Sequence, residues 1–303
     1  MVQRQTPQPV VQLIGVSKSY GCVPAVQALD VTIFEGEIVA LIGLNGSGKT
    51  TALALMAGLL RPTQGQVRLF DQEASASQNR RRVGLMPHTR AVPESLQVDE
   101  WIDFCSQRYD DPLPPSFVAD VADLSDFQSA PLATLSNGQR RRLAFGLALC
   151  GIPDLLLLDE PATGLDAVGR TVLAQQIRHF AQTGRTVVLT THDLTEAEAL
   201  ANRILVLHHG CLLADATPAQ LRQQAGGSRI RCRTSLDLDW LRQLPSVTDV
   251  CREEAFVYIH TPTPESVLRL LFQYDEQLSD LAVSRGGLDD AVRQLIHTTS
   301  VVI

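Results

Sequence analysis

Hydrophobic positions change period several times along the chain, and each change predicts an element. Leu29, Val31 and Ile33 alternate with Asp30, Thr32 and Phe34, which predicts a strand with one face more apolar than the other. Residues 11–16 predict an earlier strand closing on Tyr20, and Glu35-Gly36 turns the chain into Ile38–Ile42, an apolar run that reads as a buried strand. Residues 51–60, rich in Ala, Leu and Met, predict a helix. The turn signal Pro62-Thr63-Gln64-Gly65 precedes short strands over 66–69 and 83–86. From 98 to 150 helical signals dominate, interrupted by Pro112, Pro114 and Pro115, so a helical insertion is expected there. Strands return at 155–158 and 186–190, with a helix over 166–182 between them and Gly184 just past its end. Residues 204–207 and 211–214 read as a closing hairpin. Strand–helix–strand alternation of this kind predicts a mainly parallel α/β core.

Gly226-Gly227-Ser228 is the expected boundary, separating a domain at 10–225 from one at 229–303. Beyond it the pattern predicts strand 229–234, helix 238–244, strands 247–251 and 256–260, helix 264–274, strand 281–284 and helix 288–297. This βαββαβ order points to a small α+β unit of the split-βαβ, ferredoxin-like kind.

Composition narrows the classes. A 303-residue chain with 45% hydrophobic and 19% charged residues is ordinary for a globular protein of two domains. The net charge of −7 gives no support to a nucleic-acid surface, which is usually basic. The six cysteines are scattered without a C-x-x-C pair and read as small hydrophobes in a reducing compartment. Residues 1–9 are polar and proline-containing, unlike a signal peptide or an anchor. No apolar run approaches the ~18 residues needed to cross a bilayer. Any membrane-spanning part is therefore expected on another chain.

The chemistry centres on Gly43-Leu44-Asn45-Gly46-Ser47-Gly48-Lys49-Thr50-Thr51, which fits G-x-x-x-x-G-K-[ST] between a strand and a helix. Glycines let the backbone curl around a polyphosphate and present N–H groups at a helix N-terminus. Lys49 is placed to reach the β- and γ-phosphates of ATP, and the Thr50 hydroxyl to ligate Mg²⁺. The 26 Lys and Arg residues include only two lysines, Lys18 and Lys49, so lysine has been kept where a flexible point charge is wanted. Four leucines, 155–158, run into Asp159-Glu160 at the strand edge where open α/β sheets bind ligands. Asp159 is the expected Mg²⁺ partner, and Glu160 the carboxylate that polarises a water for attack on the γ-phosphate.

Further motifs follow in a fixed order. Leu135-Ser136-Asn137-Gly138-Gln139 resembles the signature sequence of the ABC-type ATPases, the nucleotide-binding subunits of ABC transporters. Asp159-Glu160-Pro161 and Gly164-Leu165-Asp166 resemble that family's Walker B and D-loop, and Thr190-Thr191-His192-Asp193 its switch histidine. The resemblance runs over about residues 11–217 and implies a P-loop NTPase of the ABC-ATPase type, with a mixed-sheet core and a helical subdomain at 98–150.

It also implies two ATPase subunits, here expected as a homodimer, meeting head to tail so that each signature closes over the other's ATP. Ser136 is the expected cap of a helix whose N-terminus, left bare by Gly138, faces a γ-phosphate. Asn137 departs from the usual glycine, and Asn tolerates unusual backbone angles. The resemblance gives His192 a γ-phosphate contact and Tyr20 an adenine-stacking role. His88 stands where the family places a glutamine that contacts Mg²⁺ and the attacking water, unless the alignment shifts by one residue. Histidine there would make hydrolysis pH-sensitive. Trp101-Ile102-Asp103-Phe104 is expected to pack the helical insertion and to border the groove that receives a separate membrane-spanning permease subunit. The three-arginine runs 80–82 and 140–142 and the pair His208-His209 read as solvated. Leu288-Asp289-Asp290 resembles the tail of exporter-type subunits, so the expectation is an exporter or an envelope or cofactor-assembly transporter, peripheral on the cytoplasmic face of the membrane. A soluble ABC-type ATPase acting on ribosomes or nucleic acid is the competing reading; the single phosphate loop, acidic balance and lack of a heptad run weigh against it.

Overall fold

The computed structural model describes residues 7–88, 93–224, 227–285 and 287–300. Residues 1–6 of the polar N-terminal stretch, Gly226 of the boundary triplet and residues 301–303 lie outside them. The chain divides into two compact units, Met1–Asp215 and Ala216–Ile303.

The first unit is built on two sheets. β1 (Pro9–Tyr20), β2 (Val23–Phe34), β4 (Gln64–Leu69) and β5 (Gln72–Glu73) form an antiparallel sheet in the order β2-β1-β4-β5. Leu29, Val31 and Ile33 of β2 are buried while Asp30 is exposed, as the alternation requires; the phase flips at Ala28 (φ 44), so that Val26 is buried and Gln27 exposed. β3 (Ile38–Ile42), β6 (Val83–Met86), β7 (Leu155–Asp159), β8 (Thr186–Thr191), β9 (Arg203–His208) and β10 (Cys211–Ala216) make the second sheet, ordered β10-β9-β3-β8-β7-β6. Its β6–β7, β7–β8, β8–β3 and β3–β9 pairs are parallel. Buried on both faces, β3 and β7 read as unbroken apolar runs.

α1 (Lys49–Met56) buries Ala52, Leu53, Leu55 and Met56 between the sheets. It ends earlier than the composition of residues 51–60 suggests, because Gly58 takes φ 67 and leaves the helix. The helical insertion holds α2 (Val98–Ser106), α3 (Pro115–Val121) and α4 (Asn137–Leu149) around a core of its own that includes Trp101, Ile102, Val118, Leu143 and Leu147. Trp101 is buried there and stacks on Phe104 at 5.4 Å, but Phe104 itself stays half exposed. α5 (Ala167–Gln182) and α6 (Leu194–Leu200) complete this unit.

In the second unit, β11 (Ser228–Arg233), β12 (Asp249–Glu253), β13 (Phe256–Thr261) and β14 (Ser279–Arg285) form an antiparallel sheet in the order β12-β13-β11-β14. With α8 (Leu238–Arg242) and α9 (Pro264–Tyr274) in the two crossovers, this is the interleaved topology of a split βαβ unit. Ile230, Cys232, Val257 and Ile259 pack with Leu241, Val267 and Leu271. α7 (Pro218–Gln224) packs against α10 (Leu288–Ser300), so it belongs to this unit and not, as the glycine pair suggests, to the one before. Asp290 fastens α10. One of its oxygens lies 3.4 Å from Arg229 and 3.6 Å from His260, and the other accepts from the Gly287 N–H at 2.7 Å.

Candidate active site

The loop between β3 and α1 depends on glycine. Gly43, Gly46 and Gly48 take φ of 158°, 80° and 101°. A Cβ at Gly48 would stand 2.3 Å from the Ala25 carbonyl oxygen, and one at Gly43 2.2 Å from that of Leu207. The loop is therefore wedged between the β1–β2 hairpin and the turn after β9. Main-chain bonds close the seam: Gly210 N–H to Ser47 O at 3.0 Å and Gln27 N–H to Gly210 O at 2.8 Å. The Gln27 side chain adds a bond to His209 O at 2.7 Å. His208 and His209 thus sit beside the phosphate loop, their rings edge to face at 4.1 Å, with His209 exposed and His208 only partly so. Tyr20, at the tip of the adjoining hairpin, is 52% exposed, with the Lys18 ammonium 5.7 Å from its ring centre.

Within the loop Leu44, Asn45 and Gly46 are exposed, whereas Ser47 is buried and its hydroxyl has no partner among the described residues. An orphaned hydroxyl in a glycine loop that opens a helix suits a phosphate oxygen. Lys49 is buried and donates to the carbonyls of Gly43 and Leu44 at 2.8 and 3.2 Å. Burial lowers its pKa, and the charges of Glu160 and Asp159 oppose that shift. Thr51 continues the helix as a partly buried residue.

β7 brings the acidic pair to the same place. The Thr50 hydroxyl donates to Asp159 Oδ1 at 3.3 Å, and the Thr190 hydroxyl donates to the same atom at 2.5 Å. Hydroxyl and carboxylate oxygens are hard donors of the kind Mg²⁺ takes alongside substrate phosphates. Among the described residues there is no group of three or more His, Cys, Asp or Glu that could hold a metal. His88 offers a nitrogen, a poorer donor for Mg²⁺. Its Nδ1 lies 3.8 Å from Glu160 Oε2.

Glu160 is the convergence point. His192 Nδ1 lies 3.4 Å from Oε1, and the Thr163 hydroxyl donates to Oε2 at 3.1 Å. Burial pushes the carboxyl up, but the Thr163 bond, His192 and His88 together outweigh it and hold the group below its usual range. Its backbone has φ 48, and its N–H donates to Thr190 O at 3.1 Å and Thr190 Oγ1 at 2.9 Å.

Ser136 caps α4 in a reciprocal box, its hydroxyl accepting from the Gln139 N–H at 3.2 Å and its own N–H donating to Gln139 Oε1 at 2.8 Å. Asn137 is the first helical residue with no left-handed backbone, so tolerance of unusual angles is not what allows it there. A Cβ on Gly138 would meet nothing nearer than 3.7 Å, so the start of α4 is open. Asp166 caps α5 by accepting from the Gly169 N–H at 2.7 Å.

The arginine runs separate. Arg80–Arg82 are exposed, with Arg81 paired to Asp110 and Arg82 to Asp154. Arg140–Arg142 are not solvated. Arg140 bonds the carbonyls of Leu135 and Ala133, Arg142 that of Ala122, and Arg141 turns into the site. Arg141 and Thr163 are the residues to which pattern reading gives no role; Thr190 enters it only as the start of the motif that carries His192.

A glycine phosphate loop between strand and helix, facing an acidic strand end on a parallel sheet, defines a P-loop ATPase. The family described as ABC transporter matches residues 26–163. The chain is 33% identical over 269 residues to Nod factor export ATP-binding protein I of Bradyrhizobium diazoefficiens, covering 85% of this chain and 88% of the relative. It is 34% identical over 234 residues to the daunorubicin/doxorubicin resistance ATP-binding protein DrrA of Streptomyces peucetius, covering 75% and 71%. Among solved structures, a dimeric ATP-binding cassette in a post-hydrolysis state with ADP and Pi superposes at TM-score 0.64, with 26% identity over 68% of this chain and 98% of that one. An ATP-binding subunit of an ABC transporter gives TM-score 0.63 and 26% identity over 71% and 92%. The chain belongs to the ATP-binding subunits of ABC transporters and hydrolyses ATP to drive transport.

Proposed function

We propose that this subunit powers an exporter, working as a homodimer on separate permease subunits at the cytoplasmic face of the membrane. The observation that carries the export reading is the length of the likeness. An alignment covering 85% of the chain is longer than the first unit, so it runs into the second, and the relative's name is an export protein. No helix among the described residues is long and apolar enough to cross a membrane, in keeping with a partner that supplies the span.

In this reading the loop N–H groups, the Ser47 hydroxyl and Lys49 hold the phosphates, while Tyr20 stacks on adenine. Thr50 and Asp159 would hold Mg²⁺, which when bound neutralises phosphate charge. Glu160, ionised and aimed by Thr163 and His192, takes a proton from the attacking water. The open N-terminus of α4, with Ser136, Asn137, Gly138 and Gln139, faces the partner subunit's ATP, and Asp166 lies at the same interface.

The test is a mild-detergent pull-down of tagged Glu160→Gln with ATP, alongside its hydrolysis rate. The variant should lose about 10²–10⁴-fold in rate, the usual worth of a general base, and a multi-span membrane protein should co-purify. Ribosomes or nucleic-acid complexes in its place would overturn the transport assignment. An unchanged rate would overturn the role of Glu160.

A further inference from the structure

Arg141 stands in the second turn of α4, and its guanidinium is spent on backbone carbonyls. Nε donates to Pro161 O at 3.4 Å, and Nη1 to Pro87 O at 3.4 Å and His88 O at 2.5 Å. Nη2 donates to Asp159 O at 2.5 Å and also to Glu160 O. An arginine has five N–H bonds, so five acceptors leave it no donor for a ligand or a carboxylate. Those acceptors come from the segment after β6 and from the end of β7. One side chain of α4 therefore fixes both segments that carry His88, Asp159 and Glu160.

The backbone of Glu160 shows what the fixing achieves. A left-handed φ at a residue with a Cβ is strained and persists only where the surroundings over-determine it. Thr190 holds the Glu160 N–H from β8, and Arg141 holds its carbonyl from α4. Gripped on both sides, the residue projects its carboxylate toward Thr163, His192 and His88.

We propose that Arg141 is a positioning residue: it transmits the seating of α4 to the backbone of Glu160, so hydrolysis depends on it while nucleotide binding does not. The proposal rests on Glu160 being the catalytic base. A lysine cannot replace the arginine, since a point charge cannot bond five carbonyls in a plane.

The full chain is compared with Arg141→Ala, Arg141→Lys, Glu160→Gln and the Arg141→Ala/Glu160→Gln double variant, measuring binding of a fluorescent ATP analogue and steady-state hydrolysis. For both Arg141 variants kcat should fall about 10–100-fold, the scale of a misplaced catalytic group. Analogue affinity should stay within about twofold of wild type, and adding Arg141→Ala to Glu160→Gln should slow the residual rate by less than about twofold. A lysine variant at the wild-type rate, an equal loss of binding and kcat, or fully multiplicative rate losses would each sink the proposal. If the alanine variant does not fold, the lysine variant, alone and combined with Glu160→Gln, decides on the same criteria. A Glu160→Gln enzyme that hydrolyses normally would instead remove the base assignment beneath the proposal.

Discussion

The Lys49 ammonium lies 2.8 Å from the Gly43 carbonyl oxygen, folded over the loop from which it springs. It is buried, and in the proposed reading it meets a phosphate from there. Lys49→Ala should weaken ATP binding by about 10–100-fold, the loss expected when hydrogen bonds to a charged group are removed. Lys49→Arg should not restore it, because a planar fork does not fit the space of a compact ammonium. Fluorescence titration with a labelled ATP analogue checks both.

His88 lies 3.8 Å from Glu160, the carboxylate proposed as the base. Glutamine offers a donor and an acceptor at this position but can carry no charge. His88→Gln should therefore change the hydrolysis rate and the shape of its pH profile. Coincident profiles for the two enzymes would show that His88 has no part in the step.

Glu196 accepts from the Thr191 hydroxyl at 2.5 Å through one oxygen and leaves the other buried without a partner among the described residues. Burial raises its pKa and the charge of Asp193 adds to the rise; the Thr191 bond, Arg170 and His192 oppose it. A carboxyl raised on folding contributes stability that is full below its unfolded value and lost as pH climbs through the folded one. Glu196→Gln removes that loss. Its Tm advantage over wild type should grow from about pH 5 to pH 8; an advantage that does not change with pH would refute the assignment.

Asp275 behaves in the opposite sense. The Thr234 hydroxyl bond lowers its pKa, burial opposes, and the N–H groups of Ser235 and Gln277, at 3.0 and 2.9 Å, reinforce the lowering. Its contribution is present above the unfolded value and disappears as pH falls through the folded one. Asp275→Asn should lower the melting temperature of the second unit at neutral pH and narrow its acid sensitivity. Trp240, packed on Tyr274 at 5.2 Å, reports this unit once the only other tryptophan, Trp101, is changed to Phe.

Strands buried on both faces were legible because their composition has no alternative: Ile38–Ile42 and the four leucines before Asp159 are apolar throughout, and their flanking glycines and acids stand at fixed offsets. The same holds for Pro264–Tyr274, where proline sets the first turn. What stayed hidden is non-local. Nothing in Arg140-Arg141-Arg142 says that one of the three meets carbonyls from two distant segments, since a charge on a helix points to solvent unless the fold brings something over it. Thr190 is likewise an ordinary strand residue until β7 is laid beside β8 and its hydroxyl falls on Asp159. Helix ends are set by single glycines, and Gly58 stops α1 inside a segment whose composition would carry it further.

The seam among Ala25, Gly48 and Gly210 has a practical corollary. The hairpin that carries Tyr20 and Val23 meets the phosphate loop through main-chain atoms and the Gln27 side chain, so the shape of the loop does not rest on Tyr20 or Val23. In the proposed reading, where Tyr20 stacks on adenine, grip on the polyphosphate and choice of nucleobase are written in separable parts of the chain. On that reading a recess for an enlarged purine can be carved at Tyr20 without disturbing the phosphates, and this subunit could then be fuelled by a synthetic nucleotide that the other ATPases of its cell ignore.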